Sequence, residues 1–115
     1  MGNKKLITTV NVLGVDYKVF ISTPEETPIL QKCDGYIIPE VKHIYLDSKN
    51  KKHHQQHVLT HEIVHAFLYE SGLDVETWAN NEEIVDWISL QLYKMYPTVK
   101  KCISDFNKEA KKKDE

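Results

Sequence analysis

The sequence predicts an α+β fold: a small N-terminal β-sheet, antiparallel or mixed, followed by helices. Three observations carry this expectation. β-Branched and aromatic residues alternate with polar ones between residues 6 and 22, the period of a half-buried strand. Pro24, Pro28 and Gly35 then interrupt the chain, as turn residues do. From about Lys52 the apolar residues recur at helical spacing, and strands followed by helices is the order of α+β domains.

Ile7, Val10 and Val12 lead into Leu13-Gly14, and Val15, Tyr17, Val19 and Ile21 follow it, which reads as a β-hairpin. A short helical turn is expected within 25–32. Residues 36–38 and 42–46 are further short strands, the second with Ile44 and Leu46 on one face and His43 and Tyr45 on the other. Val58, Ile63, Val64, Ala66, Phe67 and Leu68 mark the first helix, and Gly72 ends it as a C′ residue. A second helix is expected over 80–96, with Ile84, Trp87, Ile88, Leu92 and Met95 as its apolar stripe. Trp78 and Trp87 should serve as core packing and a loop anchor. Pro97 should end that helix, and Thr98 should cap a third, C-terminal helix carrying Val99, Cys102, Ile103 and Phe106. Residues 111–115 are expected to be a frayed tail on a single domain spanning 1–115.

Composition excludes several classes of function. The 115 residues suit one domain, and 41% hydrophobic content opposes wholesale disorder. A formal charge of -2 opposes general affinity for nucleic acid, which depends on neutralising phosphates. No apolar run approaches the ~18 residues of a membrane span. Lys4-Lys5 is followed by a run broken at Thr8, Thr9 and Asn11, so no signal peptide is read and a cytoplasmic address is expected. Cys33 and Cys102, without CxxC spacing, are expected to be reduced thiols.

The chemistry lies in His61-Glu62-Ile63-Val64-His65, an HExxH within the first helix. Four residues make about one helical turn, so both imidazoles project from one face and can reach a single Zn²⁺. Glu62 lies about 100° around the helix from His61. It can border the metal without binding it, where a base would accept a proton from zinc-activated water. A catalytic zinc needs a third protein ligand. The extension HExxHxxGxxH fails, because its glycine and third histidine fall on Leu68 and Ser71. A carboxylate from the second helix is the alternative. In Asn81-Glu82-Glu83-Ile84-Val85-Asp86, Glu82 can come opposite the histidine pair. Asp86, one turn on, can hydrogen-bond the far nitrogen of a ligand histidine. Glu83 competes as an alternative ligand. With Asn80 as N-cap, however, Glu83 would complete a capping box. His57 precedes His61 by one turn, and His53 and His54 are expected at the surface.

HEIVH followed by NEEIVD resembles the gluzincin zinc peptidases, in which a Glu in an NExxxD or ExxAD-like segment completes HExxH. The short length and hairpin start are similar to minigluzincins and to the small ImmA/IrrE-like metallopeptidases common in phages. The resemblance covers roughly residues 36–96. It implies a minimal zincin-like fold and one Zn²⁺ per chain. His61, His65 and Glu82 would be its ligands, Glu62 the general base and Asp86 an outer hydrogen-bond partner. It also implies a peptide or protein substrate added to a sheet edge, expected at the strand 42–46. Larger gluzincins supply a further Tyr or His for the oxyanion; Tyr36, Tyr69, Tyr93 and His57 are the candidates here. A latent zinc-binding structural or interaction protein of phage origin is the alternative reading.

Overall fold

The computed structural model describes residues 4–73 and 77–114. Its elements run β1 (Lys5–Val12), β2 (Val15–Ser22), a 3₁₀ turn (Pro28–Gln31), β3 (Gly35–Ile38), β4 (His43–Asp47), α1 (Lys52–Glu70) and α2 (Glu82–Asp114). The fold is α+β, a four-stranded mixed sheet followed by helices, with strand order β1-β2-β4-β3. β1 and β2 form the expected hairpin. Leu13 and Gly14 both adopt positive φ, 52° and 91°, as a two-residue turn between twisted strands requires. Asn11 supports it by accepting from the Gly14 N–H at 3.0 Å and donating to Asp16 at 3.0 Å.

β2 pairs with β4 in parallel, and β3 pairs with β4 antiparallel. A parallel pair cannot be closed by a tight turn. Residues 23–42 make the crossover and carry β3 to the far side of β4. The expected edge strand is therefore corrected: the strand of His43 to Asp47 is interior, and β3 and β1 are the edges.

One face of the sheet forms the core. Val12, Tyr17, Val19, Ile44 and Leu46 pack there with Val58 and Ala66 of α1. α1 approaches β3 so closely that a Cβ on Gly35 would overlap Val58 Cγ1. At the other end of α1, the buried Tyr17 hydroxyl donates to Glu70 Oε2 at 2.5 Å, and Lys42 Nζ meets the same oxygen at 2.8 Å. Gly72, at φ 80°, ends the helix. Its N–H donates to the Tyr69 carbonyl at 3.1 Å, and that of Leu73 donates to Leu68 at 2.8 Å, the paired bonds of a Schellman cap.

Pro97 does not end the second helix, and no separate third helix follows among the described residues. α2 runs unbroken from Glu82 to Asp114 with Pro97 inside it. The proline falls in a stretch, 92–109, that is exposed throughout, so water can satisfy the carbonyl its missing N–H leaves free. Thr98 donates to the Lys94 carbonyl at 3.4 Å instead of capping. The backbone of α2 is helical to Asp114. Glu115 lies outside the described residues.

The face of α2 turned to the body also differs from expectation. It carries Val85 and Ser89, both buried, while Trp78 and Trp87 are 74% and 57% exposed. Trp87 lies two residues from Val85, about 200° around the helix, and so points outward. No helix among the described residues is long and apolar enough to cross a membrane.

Candidate metal centre

One turn of α1 places the His61 and His65 rings 5.0 Å apart. The start of α2 brings a carboxylate against both. Glu82 Oε2 is 3.1 Å from His61 Nε2, and Glu82 Oε1 is 2.6 Å from His65 Nε2. One ligand atom from each of the three residues lies within 4.8 Å of the others. Glu82 is the first residue of α2, and Asn81 sets where that helix begins. The Asn81 Oδ1 accepts from the N–H groups of Glu83 at 2.9 Å and Ile84 at 3.1 Å, as an N-cap does. The expected cap, Asn80, is therefore displaced by one residue, because the chain from Thr77 turns to bury Ala79 before the helix starts. Glu83 falls at the second helical position rather than the third, and the histidine pair meets Glu82 instead.

Asp86, one turn after Glu82, touches two histidines. Its Oδ1 lies 3.5 Å from His61 Nδ1 and 3.3 Å from His57 Nε2. A carboxylate on the far nitrogen of a ligand histidine orients the ring. His54 turns away from this group to Asp34, at 2.7 Å.

Glu62 is buried, only 8% exposed. Burial pushes its carboxyl up from the ordinary 4.5 to about 7; the neighbouring His61 opposes that rise and the Glu82 carboxylate adds to it. Removing a charge from water disfavours the ionised form, so this group can take and release a proton near neutral pH. A cleft of about 270 Å³ opens beside it, lined by Cys33, Asp34, His57, Glu62, Glu82 and Asp86 among others. Burial pushes the Cys33 thiol up as well, which keeps it protonated.

The four candidates for a further polar group separate clearly. The Tyr93 hydroxyl bonds the Thr60 hydroxyl at 2.7 Å, at a groove away from the centre. Tyr69 lies under Lys42, 4.8 Å from its ammonium. Tyr36 pairs with Tyr45 in the sheet. His57 alone of the four lines the cleft. Cys33 and Asp34 line it too; nothing in the local pattern of Lys32-Cys33-Asp34 requires this, because it is the crossover that delivers them beside α1.

No protein-family model, curated protein or solved structure matches this chain.

Proposed function

We propose that the chain is a zinc-dependent metallopeptidase holding one Zn²⁺ between His61, His65 and Glu82, with Glu62 as general base. The observation that carries the reading is that these three ligand atoms converge to within 4.8 Å beside a buried carboxyl poised to ionise at about 7. Two imidazole nitrogens and one carboxylate oxygen suit zinc with its fourth position open. Affinity order alone would also admit copper or nickel. Bound there, zinc would polarise a peptide carbonyl and acidify a water molecule.

The chain's own groups would do the rest. Glu62 would accept the water proton and return it to the leaving amine, a transfer favoured when the base ionises near the working pH. Asp86 would hold the His61 ring in one orientation and tautomer. β3 has a strand partner on its β4 side only, among the described residues. An extended peptide could pair along its other edge, running towards Gly35 and the cleft.

Metal analysis of wild-type, Glu62→Gln and Glu82→Gln protein, with peptide-library cleavage on the same samples, tests the proposal. One zinc per chain, kept in Glu62→Gln and weakened in Glu82→Gln, with cleavage lost in both, is the expected result. No zinc in the wild type after reconstitution would overturn it. A second reading, a non-catalytic zinc protein, draws on the way the trio ties α1 to α2, which a metal would staple. Zinc without cleavage in any preparation would favour that reading.

A further inference from the structure

α2 does not stop where its contact with α1 ends. Beyond Pro97 it continues for about 27 Å at the usual rise per residue, and the molecule is 66 Å long against 32 and 26 Å in its other directions. From Leu92 onwards, Leu92, Tyr96, Val99, Ile103, Phe106 and Ala110 recur at alternating intervals of four and three residues. That is a seven-residue apolar repeat, which lays its members along one seam. Traced backwards, the repeat reaches Ser89 and Val85, both buried within the body. The seam therefore prolongs the side of α2 already packed inside the protein. Past Ser89 the large seam residues are open, from Leu92 at 48% to Phe106 at 68%. Lys101 and Asp105 pair with each other at 2.8 Å, off the seam.

We propose that this seam pairs with the same seam of a second copy of the chain, as an antiparallel two-helix coiled coil. The seam complements itself in that sense. With Val99 opposite Ile103 of the second copy, Tyr96 falls opposite Phe106, and Leu92 opposite Ala110. Aromatic meets aromatic, and the smallest residue faces a large one. Such self-matching contacts are what a two-fold dimer needs. A parallel pair would run the second copy's 82–96 segment into the place α1 occupies at Val85 and Ser89. In the antiparallel pair only the turn 111–114 of the second copy reaches 88–91, and Val85 stays clear of it. The five large seam residues expose on the order of 500 Å² per chain, so two copies would bury about 1,000 Å², the lower bound for a specific interface. A patch of that size on a helix leaving the body marks an interaction surface. In this register Cys102 lies close to Cys102 of the second copy, across the two-fold axis.

Sedimentation equilibrium of the full chain over a wide concentration range tests the pairing. The expected mass rises with concentration to twice the 13.4 kDa of one chain. Ile103→Glu and Phe106→Glu, each at a site without core contacts, should weaken association at least tenfold while the thermal unfolding of the body stays unchanged. A mass of 13.4 kDa at every concentration, or a dimer indifferent to both substitutions, would overturn the proposal. A short bis-maleimide added to the Cys33→Ser chain should join Cys102 to Cys102 in proportion to dimer. A dimer that resists this cross-link would overturn the antiparallel register.

Discussion

Replacing Glu62 by Gln should make the metal-free protein more stable at neutral pH. The native carboxyl ionises at about 7 instead of its ordinary 4.5, because burial opposes the charge. Between those two values the native chain keeps a proton that the unfolded chain has released. Stability contributed by Glu62 is therefore fully present below about pH 4.5, falls as pH rises towards 7, and is level above that. A shift of roughly 2.5 units corresponds to about 3 kcal/mol. Gln fills nearly the same volume and has no charge to bury. The stability gap between variant and wild type should then grow from almost nothing at about pH 4.5 to about 3 kcal/mol at pH 8. Urea unfolding in EDTA across that range measures it, followed by far-UV circular dichroism. Parallel pH profiles for the two proteins, or a variant less stable at pH 8, would refute the reasoning. Added zinc should shrink the gap, since a nearby cation favours the carboxylate.

Other substitutions probe how the helices hold the ligands. Asn81→Ala should cost about 1 kcal/mol in chemical denaturation and weaken zinc binding in a competition titration, while Asn80→Ala should do neither. Glu82→Gln should lower zinc affinity more than tenfold by the same titration, with Glu83→Gln close to wild type; the reverse order would reassign the ligand. Gly35→Ala forces a methyl into Val58 where α1 meets β3, and should lower stability by about 1–3 kcal/mol in thermal unfolding.

Local signals read well and relational ones did not. Strand alternation and the Leu13-Gly14 turn were visible because each depends on neighbouring residues alone. The same holds for the one-turn spacing of His61 and His65. The order of β4 and β3 was not visible, because alternation says which face a residue takes and nothing about which strand lies inside. That order follows from the parallel pairing of β2 with β4, a contact between distant segments. α2 misled for a different reason. It carries apolar residues on several sides, and periodicity selects the bulkiest stripe, Ile84, Trp87, Ile88, Leu92 and Met95. The packed side holds Val85 and a serine, Ser89, whose hydroxyl is satisfied locally by the Asp86 carbonyl at 2.8 Å. Tandem asparagines hid the helix start as well. Only the burial of Ala79 decides between Asn80 and Asn81, and that choice determines which glutamate faces the histidines.

The burial of Glu62 bears most directly on whether a metal here would be catalytic or only structural. A zinc that merely fastened α1 to α2 would need His61, His65 and Glu82, and would gain nothing from a second glutamate behind them. Glu62 instead costs the metal-free fold about 3 kcal/mol at neutral pH, a substantial share of the 5–15 kcal/mol typical of a folded domain. Glutamine would fill the position without that cost. A destabilising carboxyl that borders an open cleft, within reach of a ligand trio, is what a proton-transferring site requires. The same carboxyl distant from the cleft would count against catalysis. Its position on the cleft wall favours the peptidase over the staple, and Glu62→Gln separates the two: a staple should gain stability and lose nothing, whereas a peptidase should gain stability and lose turnover.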